Sequence, residues 1–303
     1  MRIVERILHP VDTMRRMQWL LLHIGPVYKS WRIKKAVLSM EDKDAFREEV
    51  EFLRRESIYT AMPFPYPTVR RGISICDVRY DEVADLPYVD TGDGRLYFPK
   101  QRSKDRIAAQ YLSYINDEGI TGSGRRLKSP HSYVADDFGV EQGDVLLDVG
   151  CAEALFTLHN IEKVSHAYVF EVLPMWTRPL RATFAPWQDR VSVISKCVSS
   201  HTEGDCIRLQ DAVRADESAT YFIKMDIEGA ERDVLLASKD FLMGHRVKLS
   251  CCVYHRHDDA TVIFNMLKEM GFRLSYSEGY MLVQMGEVAH PYFRHGVIYA
   301  QNF

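Results

Sequence analysis

The sequence predicts an α/β protein built on a doubly wound, mostly parallel sheet with an antiparallel edge hairpin, preceded by a helical and mixed N-terminal region. Two observations carry that expectation. From about residue 144 onward, short apolar runs rich in β-branched residues alternate with stretches of helical period, the pattern of consecutive βαβ units with right-handed crossovers. Three of those runs end in a carboxylate, at Asp148, Glu171 and Asp226, and in such sheets ligands bind outside the carboxyl ends of the strands. At 303 residues and 46% hydrophobic, the chain is long enough for one large domain or two ordinary ones and too apolar for disorder.

The N-terminal stretch from Met1 to Lys35 carries eight basic residues against Glu5 and Asp12, with Ile3, Ile7, Leu8, Met14, Met17 and Leu21 at spacings of three and four. It reads as a helix packing on its own domain, and its basic face also suits peripheral contact with an anionic membrane or a partner. Phe46, Val50 and Leu53 predict a second amphipathic helix between Glu41 and Tyr59. Met62-Pro63-Phe64-Pro65-Tyr66-Pro67 stops any helix, because each proline removes a donor and restricts its predecessor. Extended runs at Ser74–Tyr80 and Arg95–Phe98 flank the Thr91-Gly92-Asp93-Gly94 turn, and a helix follows over Asp105–Glu118. The small, polar stretch from Gly119 to Gly124 sets a domain boundary near residue 125, separating 1–125 from 126–303.

Beyond it, strands are expected at Asp144–Val149, Ala167–Glu171, Val191–Ser195, Tyr221–Asp226 and Val247–Tyr254. Helices are expected at Glu153–Val164, Met175–Phe184, Glu231–Ser238 and Asp259–Met270. Two last runs, Phe272–Tyr276 and Tyr280–Met285, meet at Ser277-Glu278-Gly279 as the edge hairpin.

The net charge of −3 is a sum of unlike parts. Residues 1–128 hold 23 Lys and Arg against 18 Asp and Glu, and residues 129–303 hold 16 against 24. An acidic second section excludes a nucleic-acid-seeking whole. No apolar run approaches the ~18–20 residues of a membrane span, and no signal-peptide pattern is present. Six cysteines without C-x-x-C spacing point to a reducing, cytoplasmic setting. Nothing in the pattern reports oligomeric state.

Gly150 follows the first strand of the series, where the backbone turns sharply and approaches a ligand. Glu171 lies 23 residues beyond Asp148, the spacing at which an acidic residue binds ribose hydroxyls in nucleotide-binding βαβ units. A pyrophosphate needs G-x-G-x-x-G, yet the turn reads Gly150-Cys151-Ala152-Glu153-Ala154, with a carboxylate in place of a neutral cradle. That disfavours a nicotinamide oxidoreductase. A cationic sulfonium with an ammonium group, as in S-adenosylmethionine, matches an acidic rim of Asp148, Glu153 and Asp226.

Asp148-Val-Gly-Cys-Ala-Glu153, Phe170-Glu171 and above all Ile223-Lys-Met-Asp-Ile-Glu-Gly-Ala-Glu231 resemble the FkbM-type S-adenosylmethionine-dependent methyltransferases. Ser129-Pro130-His131, Val253-Tyr254-His255-Arg256 and Pro291-Tyr292 with Arg294 extend the resemblance across residues 127–303. It implies a class I methyltransferase fold and methyl transfer to a hydroxyl oxygen. It also implies Asp148, Gly150, Ala152 and Glu153 at the cofactor's methionine end, Glu171 on the ribose, Lys196 to Val198 beside the adenine, and Asp226 near the reacting centre with Glu228 close by. Many methyltransferases carry a second and third glycine in the first turn; this chain has Ala152 and Ala154, whose extra methyl groups are expected to crowd the cofactor's methionine portion.

An alcohol nucleophile must lose its proton, and Asp226, Glu228 and His255 are the candidate bases. Tyr254-His255-Arg256-His257 beside Asp226 and Glu228 offers a second use, holding a divalent cation, without a standard metal spacing. Lys224 and Arg256 are expected in ion pairs, and Cys251-Cys252 in packing. The reading is an O-methyltransferase acting on a saccharide or related small-molecule acceptor. The alternative is a non-catalytic nucleotide-binding module in a glycan-assembly system.

Overall fold

The computed structural model describes residues 31–41, 43–55, 77–119, 129–282 and 292–303. The basic segment before residue 31, the proline run at 62–67 and the loop at 120–128 lie outside the described residues. Two compact units result, one within 1–67 and 282–293 and the other within 68–281 and 294–303. The boundary expected near residue 125 falls within the span of the second unit.

In the first unit, residues 31–39 form helix α1 and bury Ile33 and Val37, four residues apart on one face. A 3₁₀ turn at Lys43–Phe46 leads into α2 (Arg47–Arg55), which buries Val50 and Leu53. Glu48 and Glu49 in its first turn and Arg54 and Arg55 in its last oppose the helix dipole at each end.

The second unit begins with a three-stranded antiparallel sheet, β1 (Val78–Asp81), β2 (Leu86–Asp90) and β3 (Arg95–Tyr97). Helix α3 (Lys104–Asp117) follows, opened by Ser103, whose side chain accepts from Arg106 N. Then come β4 (Val145–Val149), α4 (Leu155–Asn160), β5 (His166–Phe170), α5 (Pro174–Thr183), β6 (Val191–Ile194), β7 (Cys197–Val198), β8 (Cys206–Ile207), α6 (Leu209–Ala212) and β9 (Thr220–Met225). The series closes with α7 (Glu231–Ala237), α8 (Lys239–Gly244), β10 (Arg246–Cys252), α9 (Asp259–Glu269), β11 (Arg273–Tyr276), the short β12 (Met281–Leu282) and β13 (Phe293–Arg294), and β14 (Val297–Gln301).

The main sheet has seven strands in the order β11-β14-β10-β9-β4-β5-β6. All neighbours from β10 to β6 are parallel, and β14 runs antiparallel to both β10 and β11. This is the class I methyltransferase-like doubly wound sheet that the alternating pattern predicts. Its strands are buried on both faces, which explains their continuous apolar runs. Leu146 and Phe222 face one layer of the core, with Phe156 and Val169, while Leu147, Val149, Ile223 and Met225 face the other, with Leu235 and Ile263. The alternation along each strand thus feeds two layers at once.

Two local expectations differ from the structure. The hairpin partner of Arg273–Tyr276 is not the 280–285 run but β14, whose Tyr299 and Ile298 register with Ser275 and Tyr276. Val-Ile-Tyr-Ala at 297–300 is wholly buried, so it fills an interior slot that a two-residue strand at 281–282 cannot. The helix expected over Glu153–Val164 shrinks to Leu155–Asn160, because Ala152 (φ 46°) and Ala154 (φ 61°) adopt left-handed backbone that no helix interior accepts.

The small sheet is tied to the main one. Tyr97 N donates to Thr183 Oγ1 at 3.1 Å, and Arg178 Nη2 donates to Ala84 O at 2.8 Å. Phe98 packs on Trp176 with ring centroids 6.2 Å apart.

Candidate active site

The first turn, after β4, owes its shape to one glycine. Gly150 has φ 78°, and a Cβ there would lie 1.9 Å from the carbonyl oxygen of Asp226. The ends of β4 and β9 therefore touch backbone to backbone, with Asp226 N donating to Val149 O at 2.9 Å. Around this contact opens a cleft of about 380 Å³. Gly150 and Ala152 line it from β4, Phe170, Glu171 and Val172 from β5, Lys196, Cys197 and Val198 from beyond β6, and Asp226, Ile227, Glu228 and Ala230 from beyond β9. Tyr114 of α3 adds one wall. Six of the residues expected to contact ligand, Gly150, Ala152, Glu171, Val198, Asp226 and Glu228, are thereby brought together.

Glu171 is fixed before any ligand arrives. Its Oε2 accepts from Ala152 N at 3.0 Å and its Oε1 from Leu173 N at 2.7 Å. The carboxylate is aimed by two backbone donors, which leaves its remaining lone pairs for a bound diol.

Asp148 and Glu153 stand elsewhere than the sequence implies. Asp148 is fully buried behind the turn and does not line the cleft. Strand register sets Lys224 directly opposite it, and Lys224 Nζ reaches Asp148 Oδ1 at 2.9 Å and the Gly150 carbonyl at 2.7 Å. Thr157 Oγ1 donates to the other oxygen at 2.7 Å. Burial lowers the Lys224 pKa, but Asp148, Asp226 and Glu118 outweigh it and hold the ammonium charged. Glu153 is 3% exposed, and burial pushes its carboxyl up to about 7 against the lowering effect of the Tyr114 hydroxyl. Neither residue gives the cleft a fixed negative charge, so the acidic rim consists of Glu171, Asp226 and Glu228.

The turn's two alanines also separate. Ala154 points into the core at 1% exposure, whereas Ala152 lines the cleft. Only Ala152 can crowd a ligand. Ala152→Gly removes left-handed strain of about 1 kcal/mol, and thermal denaturation should show a midpoint raised by roughly 2–4 °C.

Asp226 is the hub of the polar floor. Its Oδ2 accepts from Tyr133 OH at 2.9 Å and lies 3.2 Å from His131 Nε2. Its Oδ1 lies 3.4 Å from Tyr254 OH and 3.3 Å from His255 Nε2. Burial alone would raise its pKa, but His131, Lys224 and His255 hold it well below the usual carboxylate range. Asp226 is therefore a permanent anion. Burial beside that anion raises the Tyr133 and Tyr254 hydroxyls well above 10, so both remain donors.

His255 does not line the cleft; its side chain is 3% exposed beneath Asp226. Burial lowers its pKa, but contact with Glu231 at 3.0 Å and the charges of Asp226 and Glu228 raise it overall. His131 and Tyr133, not expected as site residues from the sequence, join through Asp226 without themselves lining the cleft. They lie 95 and 93 residues from Asp226 in sequence, and no spacing links them. Ser129-Pro130-His131 is the trace they leave in the sequence. Lys224 is in the ion pair expected of it, Arg256 lies 3.8 Å from Asp233, and Cys251 and Cys252 are buried within β10.

Among curated proteins none matches the chain. Among solved structures, a methyltransferase FkbM from Methylobacillus flagellatus is similar at 20% identity and a TM-score of 0.45, over 57% of this chain and 48% of that one. The present chain thus spans about half the length of that relative. A putative methyltransferase from Streptococcus mutans, solved with SAH, is similar at 11% identity and a TM-score of 0.36, over 54% of this chain and 90% of that one. The family profile described as "Methyltransferase FkbM domain" matches residues 181–274, which include the Ile223–Glu231 signature. Over residues 181–274 the chain is thus similar to the FkbM methyltransferase domain.

Proposed function

We propose that the chain is an S-adenosylmethionine-dependent methyltransferase that methylates a hydroxyl of a saccharide-type acceptor. The observation that carries the cofactor is Glu171. It is a carboxylate aimed by two backbone N–H groups, at the end of the strand next to the glycine turn, on the wall of the cleft. Its place matches the ribose diol, with the 197–198 segment beside the base and the Gly150–Ala152 turn beside the methionine end. Asp226 and Glu228 give the region beyond the turn a negative potential that favours a sulfonium. The acceptor class rests on the family signature alone.

Methyl transfer from a sulfonium to an oxygen is an in-line displacement, so alignment supplies most of the rate. The C–O bond forms as the C–S bond breaks, the sulfonium becomes a neutral thioether, and the hydroxyl proton passes to a base. Asp226 is held too far below neutrality to accept that proton well. In this reading it orients His131, 3.2 Å away, and the imidazole takes the proton. Asp226 then stabilises the imidazolium.

Calorimetric titration with S-adenosylmethionine, S-adenosylhomocysteine and NAD tests the cofactor. The two sulfur compounds should bind and NAD should not; no binding of either near millimolar concentration sinks the proposal. Glu171→Ala should weaken S-adenosylhomocysteine by about 1.5–3 kcal/mol, roughly 10- to 150-fold in Kd. Unchanged affinity would remove Glu171 from the site.

A further inference from the structure

We propose that Asp226, Glu228 and His255 form a binding site for one divalent cation of the Mg²⁺ or Mn²⁺ class, with Glu231 holding the imidazole from behind. The ligand atoms of Asp226, Glu231 and His255 lie within 4.8 Å of one another. Around His255 Nε2, Asp226 Oδ1 stands at 3.3 Å and Glu228 Oε2 at 3.5 Å. With metal–oxygen bonds of about 2.1 Å, adjacent ligands of one ion stand about 3 Å apart, so this spacing suits a shared ion.

A second observation points to a ligand. The His255 side chain is 3% exposed, yet Nε2, the nitrogen nearest Asp226 and Glu228, has no hydrogen-bond partner. The carboxylate oxygens flank Nε2 without lying on the axis along which it would donate. Glu231 is fully buried, its Oε1 accepts from Ile227 N at 3.0 Å, and its Oε2 has no partner. Orphaned polar atoms in a buried cluster are costly unless something satisfies them.

Local charge agrees. Three carboxylates, those of Asp226, Glu228 and Glu231, surround one imidazole, and the neighbouring cations are engaged elsewhere. Arg232 pairs with Asp258 and Asp259, Lys224 with Asp148, and Arg294 donates to the Tyr254 carbonyl at 2.7 Å. Two carboxylates and one imidazole suit a hard or borderline ion rather than a thiophilic one. Glu231 beside Nδ1 is placed as an outer partner that fixes the ring, the arrangement common behind metal-bound histidines.

Asp226 and Glu228 also line the cleft, so an ion held there reaches the space above the glycine turn. On the methyltransferase reading, that ion would bind the acceptor hydroxyl and ease loss of its proton. Cation binding itself does not depend on that reading.

The test is titration of chelator-stripped protein with Mn²⁺ alone, followed by electron paramagnetic resonance. Saturable binding of one ion per chain is expected, weakened about tenfold or more in both His255→Ala and the exposed variant Glu228→Gln. Absence of saturable binding up to about 1 mM overturns the proposal, as does parental affinity in either folded variant; His255 is then a protonated partner of its carboxylates. Titrating the same stripped protein with S-adenosylhomocysteine separates the two readings. If Mn²⁺ binds and the thioether does not, the methyltransferase reading fails and the cation site stands.

Discussion

Gly150→Ala should abolish the cleft and cost about 3 kcal/mol or more of stability, because two penalties coincide there. The backbone at φ 78° already disfavours a side chain. The added methyl would also stand 1.9 Å from the carbonyl oxygen of Asp226, a backbone atom with no flexible end to swing aside. Relief requires β4 and β9 to part, which breaks the Asp226 N to Val149 O bond and shifts the Lys224 bond to the Gly150 carbonyl. Gly143→Ala separates the two effects. Gly143 has φ 89° with open space around it, so its variant should lose only the strain, about 1 kcal/mol. Urea unfolding of both variants checks this. Equal losses would show that the close approach contributes nothing.

Lys224→Met should be nearly as damaging for an electrostatic reason. It leaves the fully buried Asp148 carboxylate without its cation, beside Glu118 and Glu153, whose own buried carboxyls are already pushed up in pKa. Breaking a buried pair from one side costs about 3–5 kcal/mol, whereas replacing both members with neutral groups costs far less. Asp148→Asn keeps an acceptor for Thr157, so the double variant Asp148→Asn with Lys224→Met should recover most of the loss. Denaturant midpoints of the four chains complete the cycle. A double variant as unstable as Lys224→Met would show that the lysine acts through its bond to Gly150 instead.

Those two residues also mark what the sequence could and could not disclose. Gly150, Glu171, Asp226 and Glu228 are legible because each sits where an apolar run ends, and the doubly wound topology brings strand ends to one rim. Asp148 also belongs to a strand terminus, yet it is two residues short of the turn and faces a neighbouring strand. Only the register, which sets Lys224 opposite it, removes it from the cleft. Glu153 is lost for a related reason. A left-handed pair of alanines flanks it and turns its carboxyl inward under Tyr114. His131 and Tyr133 precede the first strand of the sheet and reach Asp226 only through folding, so no local spacing announces them. The β14 strand has the ordinary signature of a buried strand in Val297-Ile-Tyr-Ala, but its slot between β10 and β11 is a fact of pairing, not of composition.

That slot constrains the order in which the sheet is assembled. Among the described residues of the main sheet, β11 hydrogen-bonds to β14 alone. The chain emerges with Arg273–Tyr276 before Val297–Gln301, so the outermost strand is made before the strand that attaches it. The β6-to-β10 body can pair as it is synthesised, each strand docking on one already present. The β11 wing has to wait with its edge open, and an open edge is where strands of other chains add. Closure of that wing is therefore the late event of folding, and the interval before it is when the chain is most exposed to wrong partners.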